Sequence, residues 1–122
     1  MSDANKNLAA MQCVPCRGGI PPLEEVKIQE YLPRVRGWTR IEENGIKKIT
    51  KEFMFEDFRE SMNFVNKVAL VADEQDHHPD IFIQWNLVSF TLWTHAIEGL
   101  HDNDFIMAAK IDALKAQERP SR

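Results

Sequence analysis

The chain has 122 residues, a formal net charge of −4 at pH 7 and a sequence pI near 5.5. Its length fits one domain, and no block of lysine or arginine offers the surface that direct nucleic-acid binding needs. No apolar run approaches the roughly 20 residues of a membrane helix, and the first residues lack a cationic, apolar secretion signal. We therefore expect a cytoplasmic, globular protein without a membrane partner.

Residues 1–20 are interpreted as a flexible leader, followed by a single domain over 21–118 and a short tail over 119–122. The leader carries Cys13 and Cys16 at the spacing of a redox couple or of half a zinc site. No strand pattern precedes the pair, and no second pair of ligands follows it at zinc spacing. We therefore favour two free thiols in a mobile leader, with a metal or disulfide shared between subunits as the alternative.

The first half of the domain is predicted to form one helix and one β-hairpin. Apolar residues recur at helical spacing after the double proline that ends the leader, and Pro33 should stop or kink this helix. Asn44 and Gly45 then separate two β-prone segments, and both residues tolerate the positive φ of a two-residue hairpin turn. The sequence therefore predicts two antiparallel strands over 38–42 and 46–53.

A second helix is predicted over 57–75. Asp57 and Glu60 match a capping box at its start. Apolar residues repeat along it at spacings of four and three, which indicates one buried face. That face carries Phe58, Met62, Val65, Ala69 and Ala72.

The second half of the domain is predicted to repeat the pattern of two strands and a helix. The β-prone segments 81–85 and 88–95 join at Asn86 and Leu87, and a third helix over 102–117 follows. Along the last strand, one side carries Phe90 and Leu92 and the other carries Ser89, Thr91, Trp93 and His95. The order α-β-β-α-β-β-α indicates an α+β fold, a four-stranded antiparallel sheet with three helices packed on one face.

Two adjacent histidines, His77 and His78, lie at the C-terminal end of the second helix. Pro79 disfavours helical geometry at His78, so the helix should end at this pair. The helix dipole and nearby carboxylates favour a charged imidazole there, which suits general acid–base catalysis at neutral pH. These carboxylates belong to Asp73, Asp76 and Asp80.

A third histidine, His95, should lie close to the pair. One hairpin fills most of the seventeen positions between His78 and His95, so both of its ends should meet at the same edge of the sheet. A three-histidine zinc site is an alternative, although adjacent side chains diverge and no established zinc spacing is present. A structural role, with the pair capping the helix and His95 in solvent, fits the residues equally well.

The segment from Asp73 to Asp112 resembles the signature half of the pterin-4a-carbinolamine dehydratases. That family has an acidic residue before His-His-Pro-(Asp/Glu), a strand ending in Tyr/Trp-Asn, a strand ending in Thr-His, and Gly-Leu and an Asp before the last helix. These elements fall without a gap on Asp76, His77, His78, Pro79, Asp80, Trp85, Asn86, Val88, Thr94, His95, Gly99, Leu100 and Asp104. The resemblance covers about residues 23–114.

The resemblance implies a lyase that eliminates the 4a-hydroxyl of a 4a-hydroxytetrahydropterin as water. The product is the quinonoid dihydropterin, and the reaction recycles tetrahydrobiopterin after aromatic amino acid hydroxylation. Elimination needs an acid for the departing oxygen and a base for a ring proton, so the pterin is the substrate and neither cofactor nor metal is expected. Relatives form dimers or tetramers, which implies a homodimer or homotetramer here.

The same resemblance assigns catalysis to His77, His78 and His95, with Asp76 orienting an imidazole. Supporting or substrate-binding positions of the family correspond to Asp76, Pro79, Asp80, Trp38, Asp73, Thr94 and Asp104. Among them, Trp38 also fits core packing and Asp104 also fits helix capping.

Some positions depart from the family or lie outside its site. Asp73 stands where a glutamate is common, and His101 and Asn103 also differ from the usual residues. Trp85 and Trp93 are assigned to packing or subunit contact.

Two other functions stay open at this point. Animal relatives serve as dimerisation cofactors of a homeodomain transcription factor, so a binding or regulatory protein is the main alternative. Pterin chemistry linked to molybdopterin metabolism is the second, because the same elimination site would serve it.

Overall fold

Helices and strands follow one another in the order that the sequence predicts. The computed structural model describes residues 7–15 and 18–118. The helices are α1 (Glu25–Tyr31), α2 (Phe58–Gln75) and α3 (Asp102–Ala116), and the strands are β1 (Thr39–Glu43), β2 (Ile46–Met54), β3 (Asp80–Gln84) and β4 (Leu87–Leu92). Short 3-10 turns lie at Leu8–Ala10, Leu32–Arg34 and His95–Ile97. Within the described ranges, no helix has the length and apolarity needed to cross a lipid bilayer.

The strands form one antiparallel sheet in the order β1-β2-β4-β3. In the central pair, Ile49 lies opposite Leu92 and Phe53 lies opposite Val88, and all four side chains are buried. Alternate residues of a strand share a face, so these apolar positions form the inner face of the sheet, where α2 and α3 pack against β4. The predicted α+β fold is confirmed.

The two hairpin turns differ in how well the sequence predicted them. Asn44 and Gly45 adopt φ of 53° and 79°, as the hairpin between β1 and β2 requires. The second turn consists of Trp85 and Asn86, with Trp85 at φ of 50°, one residue earlier than predicted. The backbone of Phe55 exchanges hydrogen bonds with Asn86, which fixes the turn at this position.

The buried face of α2 is rotated relative to the predicted stripe. Phe58 and Ala69 are exposed, whereas Ser61 is fully buried. The Ser61 hydroxyl donates a hydrogen bond to the Asp57 carbonyl at 3.1 Å, which allows a polar residue to lie inside. The buried residues are Ser61, Phe64, Val65, Val68 and Ala72.

Part of the predicted leader packs on the fold. Leu8 is buried in the core, and the Lys110 ammonium of α3 donates a hydrogen bond to the Ala9 carbonyl at 2.8 Å. The interpretation of 1–20 as a leader separate from the domain therefore missed the packing of 7–15. This short segment has no periodic apolar pattern from which its packing could have been predicted. The domain boundaries themselves stay a prediction.

Candidate active site

The end of α2 positions both adjacent histidines. Asp76 follows the helix in the left-handed conformation, at φ of 53°, which aspartate tolerates better than most residues. Its N–H and that of His77 both donate to the Ala72 carbonyl. Pro79 cannot continue a helix, and β3 begins at the next residue. The two imidazoles therefore leave α2 in one tight turn, as predicted.

His77 is held by a buried carboxylate. Its Nε2 lies 2.6 Å from Asp104 Oδ1, and the two side chains are 11% and 0% exposed. Asp104 Oδ2 accepts hydrogen bonds from the Thr94 hydroxyl at 2.8 Å and from the His101 N–H at 3.0 Å. Both carboxylate oxygens are thus occupied, as a buried carboxylate requires, and the orientation of the His77 ring is fixed.

The neighbouring His78 has a different environment. Its Nε2 lies 3.0 Å from Asp73 Oδ1, and the two side chains are 56% and 77% exposed. An exposed pair of this kind contributes little to stability. The His78 ring can therefore reorient at small cost, whereas the His77 ring cannot.

His95 lies beyond β4 rather than at its end. The strand ends at Leu92, and the Thr94 N–H donates to the Gly99 carbonyl at 2.8 Å. This contact draws the chain out of the sheet, so His95 begins a 3-10 turn. The prediction that His95 ends a strand is corrected in this respect, but its side chain still faces the same pocket as the other two histidines.

Trp93 holds the His95 ring in place. The two rings are stacked, with centroids 3.8 Å apart and planes inclined by 19°. The indole Nε1 donates to Asp80 Oδ2 at 3.2 Å, and the Lys48 ammonium lies 4.5 Å from the indole centroid. These contacts fix the indole between a carboxylate and a cation. The alternation of Trp93 and His95 along the strand was the signal that could have placed Trp93 in the site.

One pocket of about 490 Å³ unites the three imidazoles. Its lining includes the predicted catalytic and supporting residues Asp76, His77, His78, Pro79, Asp80, Thr94 and His95. Asp104 does not line the pocket, but its carboxylate contacts the lining residues His77 and Thr94. A pocket of this size can hold a flat bicyclic molecule.

Trp38, a predicted supporting residue, lies away from the pocket, and Asp76 lines the pocket without a hydrogen bond to an imidazole among the contacts of the described residues. Trp38 is buried in the core and its Nε1 donates to both oxygens of Asp112, at 3.1 and 3.2 Å; it does not line the pocket, which favours the core-packing interpretation. The carboxylates that contact His77 and His78 belong to Asp104 and Asp73. The orienting role of Asp76 therefore stays a prediction.

The sequence did not predict six further residues that line the pocket. They are Cys13, Pro15, Gln75, Trp93, Ala96 and Asn103. Burial raises the pKa of the Cys13 thiol to about 11, although the nearby Lys110 charge acts in the opposite direction. The thiol is therefore protonated at neutral pH. Cys13 is a free thiol. Cys16 lies outside the described residues, so the prediction of two free thiols and its alternative, a metal or disulfide shared between subunits, stay untested for the pair.

His101 caps the start of α3. Its Nδ1 accepts a hydrogen bond from the Asn103 N–H at 2.9 Å, and Asp104 returns the contact to the His101 N–H. This reciprocal pair is a capping box built with an imidazole. In the part of the chain that the structure describes, no group of three or more His, Cys, Asp or Glu side chains is arranged to hold a metal ion.

Comparisons with known proteins agree on one family. The family described as pterin 4 alpha carbinolamine dehydratase matches residues 21–114. A relative from Rubrobacter xylanophilus, provisionally named a pterin-4-alpha-carbinolamine dehydratase, is 42% identical over 107 residues, which are 88% of this chain and 97% of the relative. A relative from Chlorobium luteolum with the same provisional name is 40% identical over 93% of this chain and 96% of its own.

Two solved structures share the fold. A transcriptional coactivator/pterin dehydratase from Brucella melitensis has a TM-score of 0.70 and 36% identity over 76% of this chain and 97% of its own. A pterin dehydratase-like protein described as a RuBisCO assembly factor in the α-carboxysome has a TM-score of 0.57 and 21% identity over 68% of this chain and 94% of its own. The second shows similarity of fold alone. With the family match over 21–114 and relatives that are 40% and 42% identical, the chain belongs to the pterin 4 alpha carbinolamine dehydratase family.

Proposed function

We propose that this protein is a lyase that dehydrates a 4a-hydroxytetrahydropterin to the quinonoid dihydropterin. The observation that carries the proposal is the single pocket in which His77, His78 and His95 lie together. Family membership and the relatives' names support the same activity. The reaction leaves the oxidation state unchanged, so it needs proton transfers and neither an electron donor nor an electron acceptor.

The chemistry requires one acid and one base. The C4a–O bond breaks as the oxygen takes up a proton and departs as water, and a ring N–H loses its proton as the new C=N bond forms. An imidazole can serve in either role near neutral pH. We propose that His77, His78 and His95 carry both proton transfers between them.

The surroundings of the imidazoles suggest different duties. His77 is fixed by its 2.6 Å contact with the buried Asp104 carboxylate. His95 is fixed by stacking on Trp93, while His78 is exposed and able to adjust. We propose that His77 and His95 transfer protons at fixed positions on the pterin and that His78 exchanges protons with solvent.

The test is the rate of 4a-hydroxytetrahydropterin dehydration above the spontaneous background. The expected result is acceleration by the wild-type protein that falls about 100-fold or more in His77→Ala, because a positioned acid or base contributes factors of that order. The matched control is Trp38→Phe, which changes a core residue outside the pocket. Dehydration at the background rate with folded wild-type protein would contradict the proposal.

Further properties belong to the same proposal. We propose that the protein acts as a homodimer or homotetramer in the cytoplasm, without a metal, and that it recycles tetrahydrobiopterin. Analytical ultracentrifugation tests the assembly, and a chelator-treated sample tests the metal independence. A monomer at micromolar concentration, or activity that requires added metal, would refute the respective part.

A partner-binding role is the second proposal. The Brucella melitensis neighbour is described as a transcriptional coactivator as well as a pterin dehydratase. In this chain, Met54 and Phe82 are exposed on strands β2 and β3, and exposed apolar side chains often mark contact surfaces. Replacement of Phe82 by serine should then abolish recovery of a stoichiometric partner from the source cell while dehydration continues. Recovery unchanged by Phe82→Ser would contradict this surface.

A further inference from the structure

The N-terminal segment Gln12–Pro15 contributes two residues to the pocket that contains the three histidines. Cys13 and Pro15 line this pocket, as do Gln75 and Asn103. The family match begins at residue 21, so this segment lies outside the region that defines the family.

Asn103 clamps the segment with both ends of its carboxamide. Its Oδ1 accepts a hydrogen bond from the Val14 N–H at 2.9 Å, and its Nδ2 donates to the Val14 carbonyl at 2.6 Å. Asn103 is 2% exposed. A side-chain amide that satisfies both backbone groups of one residue replaces the pairing of a neighbouring strand. The position of Val14 relative to α3 is therefore defined by one side chain.

Gln75 provides a second anchor on α2. Its Oε1 accepts from the Cys13 N–H at 2.8 Å, and its Nε2 donates to Gln12 Oε1 at 3.0 Å. The two anchors are close in sequence to the site, since Gln75 is two positions before His77 and Asn103 directly precedes Asp104. The segment is thus fastened to the same two elements that hold the His77–Asp104 pair.

The chain lies close to the pocket again at Gly18. A Cβ on Gly18 would lie 3.2 Å from the carbonyl oxygen of Ala96, which lines the pocket. A second close approach joins the start of the domain to the loop after β4, since a Cβ on Gly99 would lie 2.5 Å from Pro22 Cβ and only glycine permits this distance.

The wall offers an uncharged surface. The Cys13 thiol is half-buried and lies 3.7 Å from the Asn103 carbonyl oxygen as a weak donor, and proline has neither charge nor N–H. The histidines and aspartates of the same lining supply polar groups. Apolar contact on one side and convergent polar groups on the other is the usual arrangement for a bound heterocycle.

We propose that Gln12–Pro15 is a substrate-binding wall of the pocket and that Asn103 is the positioning residue that holds it in place. This inference rests on the proposed function, because it names a binding element for the same pterin. Loss of the wall should weaken ground-state and transition-state binding together, so KM rises while kcat changes little. Replacement of the histidines themselves should instead lower kcat.

The first test uses Cys13 as a reporter in a Cys16→Ser background. The probe is 7,8-dihydropterin, a stable isomer of the expected product, and its binding is followed by calorimetry. Saturating pterin should slow labelling of Cys13 by a thiol reagent about tenfold, because a ligand against the wall excludes the reagent. Labelling unchanged by bound pterin would overturn the wall. Absence of any pterin binding would instead overturn the proposed function.

The second test separates positioning from general destabilisation. Asn103→Ala and Gln75→Ala should each raise KM about tenfold with kcat within about threefold of wild type. Since both anchors act through one segment, the double variant should resemble the single variants. Lys67→Ala, which removes an ion pair with Glu118 at an exposed position of α2, is the control with unchanged KM. Multiplicative effects in the double variant, or an unchanged KM in Asn103→Ala, would overturn the role of Asn103.

Discussion

His77 Nε2 lies 2.6 Å from the fully buried Asp104 carboxylate. The contact joins the turn after α2 to the first turn of α3. Two elements that are distant in sequence therefore fix the position of one imidazole. The adjacent His78 pairs with an exposed carboxylate instead. The two histidines of one dipeptide therefore differ in how firmly they are held, which supports the proposed division of roles between them.

Replacement of Asp104 by asparagine tests the importance of this contact. The variant keeps the shape of the side chain but replaces the carboxylate oxygens that hold His77, Thr94 and the His101 N–H by one amide oxygen and one amide nitrogen. We expect kcat to fall by about 100-fold to 10,000-fold, the range of a general acid–base contribution. The unfolding free energy should also fall by roughly 1–3 kcal/mol, because buried donors lose a charged acceptor. Steady-state kinetics and urea unfolding measure the two effects.

Asp73→Asn is the matched control for that prediction. It removes a carboxylate from the exposed His78 pair, where solvent screens the interaction. We expect stability within about 0.5 kcal/mol of wild type and a much smaller loss of kcat than in Asp104→Asn. Equal losses of kcat in the two variants would show that burial does not distinguish the two histidines.

The two tryptophans Trp38 and Trp93 should separate stability from activity. Trp38→Phe removes the hydrogen bond to Asp112 inside the core and should cost about 1–2 kcal/mol of unfolding free energy, with KM and kcat little changed. Trp93→Phe removes the bond to Asp80 and alters the stack on His95, so it should change kinetics more than stability. Denaturant midpoints and steady-state kinetics of both variants test this assignment. A larger change of kinetics in Trp38→Phe than in Trp93→Phe would contradict it.

Cys13 should reduce stability at alkaline pH. Burial raises its pKa from 9.0 to about 11, so the unfolded chain releases the thiol proton before the folded protein does. The corresponding stability is complete below pH 9.0 and is lost as the pH rises from 9.0 towards 11. Unfolding free energies at pH 8 and pH 10.5 should show a steeper decline for wild type than for Cys13→Ser. Parallel declines would contradict the burial of this thiol.

Glu25 should contribute to stability against acid. Hydrogen bonds from Gln29 and Lys47, together with Arg40, lower its pKa from 4.5 to about 2. Folding therefore gains from the ionised form above pH 4.5 and loses this gain as the pH falls from 4.5 to about 2. The Tm of Glu25→Gln should approach that of wild type across this interval. Glu30→Gln, on the same helix, is the control, and a constant Tm difference down to pH 2 would refute the prediction.

Local signals predicted the fold well. Asn44 and Gly45 marked the first hairpin because both accept positive φ, and Pro79 marked the end of α2 because it cannot continue a helix. The face of α2 was misjudged because two adjacent rows of residues satisfy the same spacing. Burial of Ser61 depends on its hydrogen bond to Asp57, which no hydrophobic pattern reports.

The site was predicted in part for similar reasons. The three histidines could be brought together from the hairpin between them and from the family resemblance. The contact between His77 and Asp104 needed α3 to be placed in space, and Cys13 and Pro15 lie in a segment without periodicity that only Asn103 and Gln75 fasten to the site. Long-range contacts of this kind leave no mark on local sequence.

The most direct test of the proposed dehydratase is the single-turnover rate of 4a-hydroxytetrahydropterin dehydration by chelator-treated protein, compared with His95→Ala and with the spontaneous reaction. We expect a wild-type rate well above background that survives chelation, and a loss of about 100-fold or more in the variant. His95→Ala should remain folded, because His95 is exposed. A wild-type rate equal to background, or an unchanged rate in folded His95→Ala, would contradict the proposed activity.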